Sequence, residues 1–291
     1  MASQSGQRRG NTPGSGPGQR KSMRKPPDAR RRMDGNHAER LARLLPEEAV
    51  GSPAERRRWA LLVDLLASAA PPPDPDREFP DFSERQERLR AAIAAGYGEE
   101  VEQAFLELYA HLHGHEARYA RGERRVVDES GGYWAHAGGL GPILKAPDWL
   151  GPASTSIDYG AGNGLQGLLM QLLAPHRLTV QVEISSRAAE TGRRLQTWLG
   201  IEPQRVAWWV EDVRNAVRHH EGYDLVYLYR PVRPDGPARR FYEDLAAKLD
   251  GARHPVTVLS IADALGPFLP DGFEVVHSDG HLTCFHRPSP A

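Results

Sequence analysis

The stretch Ser156-Ile157-Asp158-Tyr159-Gly160-Ala161-Gly162-Asn163-Gly164-Leu165-Gln166-Gly167 decides the fold. It leaves a β-rich run, Thr155–Tyr159, and enters a helical one. Leu165, Leu168, Leu169, Leu172 and Leu173 form a single stripe at helical spacing, and Pro175 stops it. Clustered glycines between a strand and a helix let the backbone turn tightly and approach a ligand closely. Two readings overlap. Gly162, Gly164 and Gly167 satisfy G-x-G-x-x-G, the dinucleotide pattern. Gly160, Gly162 and Gly164 satisfy G-x-G-x-G, with Asp158 two residues ahead. A carboxylate at that place suits a cationic ligand and repels a pyrophosphate.

Outward from this motif, short β-rich runs alternate with helical stretches. The expected strands are Thr155–Tyr159, Leu178–Glu183, Arg205–Val210, Leu225–Tyr229, Val256–Ile261, Phe273–His277 and His281–His286. Alternating β and α units predict an α/β fold, a mostly parallel seven-stranded Rossmann-like sheet with helices on both faces. The last two runs flank Asp279-Gly280, a hairpin signal, so the final strand should lie antiparallel.

Asp158-Tyr159-Gly160-Ala161-Gly162-Asn163-Gly164, followed by that closing hairpin, resembles motif I of class I S-adenosylmethionine-dependent methyltransferases. The likeness runs from Ser154 to Arg287. It implies S-adenosyl-L-methionine as cofactor, which carries an ammonium and a sulfonium but no phosphate. By this resemblance Gly160, Gly162 and Gly164 contact its amino-acid part, and Asp158 acts near its ammonium. Glu183, followed by Ile184, stands at the end of the second strand, where a carboxylate accepts both ribose hydroxyls. Asp212 accepts from the adenine amino group, and Val213 donates its backbone N–H to the ring. Tyr229-Arg230-Pro231-Val232 occupies the turn that faces the transferred methyl, making Tyr229 and Arg230 candidate catalytic residues. The sequence departs from the family here. Arginine cannot mimic the asparagine of the aromatic-Asn-Pro-Phe turn, and the Asn/Asp-Pro-Pro-aromatic turn of adenine and glutamine methylases is absent.

Three further features flank this domain. Gly131-Gly132-Tyr133-Trp134-Ala135-His136 precedes motif I by about 20 residues, where related folds close over the cofactor; His136 joins the catalytic candidates on that ground. His111, His113 and His115 alternate near a helix end, a spacing that does not bring three side chains to one metal on a helix, so no metal is expected. His219-His220 reads as a solvated helix end, and Asp263, like Asp212, is a candidate base by position.

Residues 37–124 read as helices. Ser52-Pro53-Ala54-Glu55 combines an N-cap, a Pro at N1 and a capping-box Glu, and Ser83 and Gln86 repeat that spacing. Val101, Ala104, Phe105, Leu108 and Leu112 form one helix face. Residues 1–36 hold nine Lys or Arg against Asp28 and Asp34, with no Val, Ile, Leu or aromatic residue. Such a segment cannot bury enough apolar surface to offset its ordering entropy. The division expected is a disordered basic tail at 1–36, a helical accessory or lid region at 37–124 and a methyltransferase domain at 125–291. The tail's charge would allow a weak contact with RNA or another polyanion; the methyl acceptor itself is unidentified.

Hydrophobic content of 40% and charged content of 26% place the chain among ordinary globular proteins. The single cysteine, Cys284, excludes an internal disulfide framework and suits a reducing cytoplasm. No stretch approaches a membrane span. Two other readings stay open on sequence grounds: an NAD(P)-dependent oxidoreductase using the overlapping G-x-G-x-x-G, and a catalytically inactive binding module on a methyltransferase fold.

Overall fold

The computed structural model describes residues 35–45, 51–114, 120–133 and 139–289. Residues 1–34 of the basic tail, His115, Trp134 and His136 lie outside the described residues, as do the side chains of 35–38 and 75–76; the last two residues assigned to the tail, 35 and 36, are helical.

The helices are α1 (Gly35–Leu44), α2 (Pro53–Ser68), α3 (Pro75–Glu78), α4 (Phe82–Ala95), α5 (Gly98–His113), α6 (Arg121–Ser130) and α7 (Leu140–Lys145), followed by α8 (Leu165–Leu173), α9 (Ser186–Trp198), α10 (Val213–Ala216) and α11 (Arg239–Asp250). The strands are β1 (Thr155–Tyr159), β2 (Leu178–Glu183), β3 (Val206–Val210), β4 (Leu225–Tyr229), β5 (Val256–Ile261), β6 (Glu274–Ser278) and β7 (Leu282–Arg287). They form one sheet in the order β3-β2-β1-β4-β5-β7-β6. The β1–β2, β1–β4, β2–β3 and β4–β5 pairs are parallel, and β7 runs antiparallel to both β5 and β6. The expected α/β class and antiparallel last strand are therefore present. β3, β6 and β7 each begin one residue later than expected. At the hairpin, Gly280 adopts φ +85°, and the Asp279 carboxylate accepts from the N–H of His281 (2.9 Å) and Leu282 (2.7 Å).

Strand alternation sorts the two sheet faces. Ile157, Tyr159, Val180, Val182, Val226 and Leu228 pack with Phe241, Tyr242 and Leu245 of α11. On the opposite face β1 and β2 carry Ser156, Asp158, Thr179, Gln181 and Glu183, all buried. This polar row is satisfied in part by its neighbours. His176 Nε2 lies 2.8 Å from both Ser156 Oγ and Thr179 Oγ1, and Gln181 Nε2 donates to Gly164 O at 3.2 Å. Leu165, Leu168 and Leu169 of α8 share one continuous core with Trp59, Phe105, Leu108 and Leu112 of the N-terminal helices.

Ser52 caps α2, its Oγ accepting from Glu55 N at 3.2 Å, but the Glu55 carboxylate pairs with Lys145 at 3.0 Å rather than closing a capping box. The second expected box is absent. Asp81 occupies the N-cap of α4, and Gln86 Nε2 instead donates to Leu66 O and Ala69 O at the end of α2. Trp208 lies over two glycines. A Cβ at Gly164 (φ +69°) would meet its ring at 2.4 Å, and one at Gly192, inside α9, at 2.0 Å. Gly→Ala in a helix normally stabilises by about 1 kcal/mol. Gly192→Ala is expected to reverse that sign, destabilising by about 1–3 kcal/mol through overpacking. Urea unfolding checks it; a stabilised variant would refute the packing.

A candidate cofactor site at the C-terminal edge of the sheet

In an open α/β sheet the loops leaving the strand ends form a crevice where the strand order reverses. Here the reversal falls between β1 and β4. A cavity of about 300 Å³ sits there. Its wall takes residues from the ends of five strands in turn: Asp158 and Gly160 to Gly162 at β1, Glu183 and Ile184 at β2, Asp212 and Val213 after β3, Tyr229 to Val232 at β4 and Ala262 after β5. The N-terminal helices add His113, at the end of α5, and Val127 and Ser130 of α6. Of the cofactor residues expected from sequence, Asp158, Gly160, Gly162, Glu183, Ile184, Asp212 and Val213 line this one cavity; Gly164 does not. Gly164 serves as the left-handed N-cap of α8 beneath Trp208.

The glycine-rich turn has two jobs. Gly160, at φ +82°, lies so close to Pro231 that a Cβ would meet it at 2.8 Å. Gly162, at φ +58°, has open space where its Cβ would stand. Gly162 N also donates to Glu183 Oε2 at 2.8 Å, while Ser185 N donates to Glu183 Oε1 at 2.8 Å. Glu183 is thus held by two backbone donors. Burial nevertheless outweighs those donors and pushes its pKa up to about 7. Asp158 is raised well above the usual carboxylate range, first by burial and then by the charge of Glu183.

Buried polar atoms without a partner are rare in proteins. Four lie on this wall among the described residues: Asp158 Oδ2, Gln166 Oε1, His113 Nδ1 and Arg230 Nε. Burial lowers the His113 pKa to about 4, so the ring is neutral near pH 7. A neutral imidazole nitrogen, an amide oxygen and a carboxylate oxygen can each accept a hydrogen bond. They suit a ligand that brings several N–H donors and a positive charge.

Asp212 is the N-cap of α10, and its carboxylate also pairs with the Arg214 side chain at 2.6 Å. The turn after β4 is strained: Arg230 has φ +45°, a left-handed conformation unusual for an arginine. Residues 131–133 lie alongside this turn. Gly132 bridges Val232, Tyr133 N donates to Pro231 O at 3.3 Å and Arg233 N donates to Gly131 O at 2.9 Å. Asp263 points elsewhere; its Oδ1 accepts from Ser260 Oγ, Leu265 N and Gly266 N. His220 is buried rather than solvated. It sits between Tyr159 and Tyr223, 3.1 Å from the Tyr159 hydroxyl, with its pKa lowered to about 4 by burial. Cys284 is buried in β7, away from the cavity wall.

The chain is similar to TrmN from Thermus thermophilus (17% identity, 52% of this chain and 48% of that one, TM-score 0.40). It is similar also to an rRNA methylase from Streptococcus thermophilus (12%, 51% and 95%, TM-score 0.38). A third is a SAM-dependent methyltransferase from Agrobacterium tumefaciens (11%, 54% and 65%, TM-score 0.38). The chain spans about half the length of TrmN. No family model and no curated protein matches the sequence. No helix among the described residues is long and apolar enough to cross a membrane, and no group of three His, Cys, Asp or Glu side chains among them could hold a metal ion.

Among the wall residues to which the motif reading gives no role, His113 and Gln166 carry unpartnered polar atoms. Val101, Phe105, Tyr109 and His113 recur at i+4 along α5, so the buried face continues into His113.

Proposed function

We propose that this chain is an S-adenosylmethionine-dependent methyltransferase whose cofactor occupies the cavity at the strand ends. The observation that carries the proposal is the acidic, acceptor-rich wall. Asp158 Oδ2, Gln166 Oε1 and His113 Nδ1 are buried without partners on the same cavity. The cofactor's ammonium would supply the missing donors to these three. Glu183 would accept from the ribose hydroxyls with the lone pairs its backbone donors leave free, beside Ile184. Asp212 and Val213 would border the adenine, and Gly162 would leave room for the amino-acid part. When bound, S-adenosylmethionine supplies a methyl group already activated by its sulfonium charge. The protein's task is then to align the acceptor and exclude water. Tyr229 and Arg230 stand where the acceptor would arrive.

Two observations weigh against a nicotinamide dinucleotide. A pyrophosphate would lie against the buried Asp158 carboxyl rather than a basic group, and β7 closes the sheet antiparallel.

The raised carboxylates give a pH test. A cation bound beside Glu183 favours its ionised form, so binding below pH 7 releases a proton. Affinity for S-adenosylmethionine should fall roughly tenfold between pH 8 and pH 6, one proton's worth across one unit below the group's pKa. Calorimetry in two buffers of different ionisation enthalpy at pH 6 reads the released proton. A dissociation constant independent of pH, with no proton release, would contradict the assignment.

A further inference from the structure

We propose that Arg230 forms an oxyanion subsite at the mouth of the cavity, one that takes a carboxylate or a phosphate group. The inference depends on the cofactor reading only for where that group comes from.

Among the described residues Arg230 is the one basic side chain with a permanent charge on the cavity wall; the other groups there that carry charge are Asp158, Glu183 and Asp212. It neutralises none of them. Among the described residues no carboxylate lies within ion-pair distance of its guanidinium, and its Nε is buried without a hydrogen-bond partner. Asp212, the acid nearest the surface of this set, is already taken by Arg214. The Arg230 guanidinium instead lies over the Tyr133 ring, 5.4 Å from its centroid, and Arg233 approaches the same ring at 6.0 Å. An aromatic face holds the guanidinium plane while leaving its in-plane N–H fork for another group. A guanidinium fork matches two oxygens of one carboxylate or phosphate.

The backbone supports the same reading. Arg230 is held left-handed, at φ +45°, and Tyr133 and Pro231 are fixed against each other by a backbone hydrogen bond. Tyr242 Oη, donating to Val232 O at 2.5 Å, fixes the turn from beneath. A strained conformation that its surroundings enforce at a cavity is where function is to be sought. Here it holds on the cavity wall a cation with no carboxylate partner among the described residues.

The oxyanion has two sources, the cofactor's own carboxylate and an anionic group on the acceptor. Titration with inorganic phosphate, followed by calorimetry or amide NMR, separates them. The wild-type protein alone should bind phosphate, and Arg230→Gln should bind it at least tenfold more weakly. Arg230→Lys, which keeps the charge but not the fork, should fall between them. Both variants should stay folded, with a Tm within a few degrees of wild type, since the contact Arg230→Gln loses is the Tyr133 face and not an ion pair. If saturation with S-adenosylhomocysteine leaves the phosphate site intact, the acceptor supplies the anion. If S-adenosylhomocysteine displaces phosphate and Arg230→Gln weakens it tenfold, the cofactor's carboxylate does. Failure of wild type to bind S-adenosylhomocysteine would sink the cofactor reading while leaving the phosphate result standing. Equal phosphate binding by wild type and Arg230→Gln, or none by wild type, would overturn the subsite.

Discussion

Glu183→Ala is expected to bind S-adenosylmethionine about 10- to 100-fold more weakly than wild type, a loss of about 1.5–3 kcal/mol typical of a hydrogen bond to a charged group. Glu183, the last residue of β2, turns toward the α8 face by strand alternation, and Gly162 N–H and Ser185 N–H clamp the carboxylate there. A group clamped this way is preorganised, so little ordering cost is left for binding to meet. The substitution also strips both backbone donors of their acceptor. Its Tm must therefore be measured alongside, and Glu183→Gln, which keeps the shape, should show the same direction of affinity loss. Wild-type affinity in a folded Glu183→Ala protein would remove Glu183 from the site.

Asp158→Asn should weaken cofactor binding at least tenfold and at the same time make the cofactor-free protein more stable at pH 8. The sign follows from linkage. A carboxyl whose folded pKa is raised binds its proton more tightly in the native state than in the unfolded one. Its contribution is favourable at low pH and is lost as pH rises through the folded pKa. Glu183 loses its share between 4.5 and about 7, on the order of 3 kcal/mol, and Asp158, raised by burial and by Glu183, loses its own over a range that also lies above the ordinary carboxylate value. Removing the Asp158 charge removes its penalty and relieves Glu183. The Tm at pH 8 should rise by about 3 °C or more, on the order of 1 kcal/mol for a chain of this size. Near pH 4 the two proteins should melt together. A site that trades stability for function behaves this way; a structural Asp158 would instead leave the variant less stable at pH 8.

The sheet was legible because apolar runs of five or six residues, each closed by a turn or a helical stripe, leave little freedom in a parallel sheet. β1, β2, β4 and β5 fall where those runs do. The hairpin was legible because Asp279-Gly280 offers both a side-chain acceptor and a left-handed backbone. The seven wall residues at strand ends were legible because chain order and spatial order coincide at the edge of such a sheet. What depended on distant partners was not. His220 reads as solvated beside His219 until Tyr159 and Tyr223 enclose it from two other elements. Gln86 follows capping-box spacing, yet the carbonyls at the end of α2 compete for its amide and win. His113 reaches the cavity only because the N-terminal helices pack onto α8, a contact that local periodicity does not encode. At Arg230 the departure from the family turn was visible, but its left-handed backbone and its seat on Tyr133 were not.

A cavity lined with buried acceptors should prefer a phosphate-free cation to a dinucleotide. Calorimetric titration of the full chain with S-adenosylmethionine and, separately, with NADH at pH 8 reads that preference. One site for S-adenosylmethionine with micromolar-range affinity, and no heat of binding for NADH, is expected. Binding of NADH, or of neither ligand, would rule the assignment out.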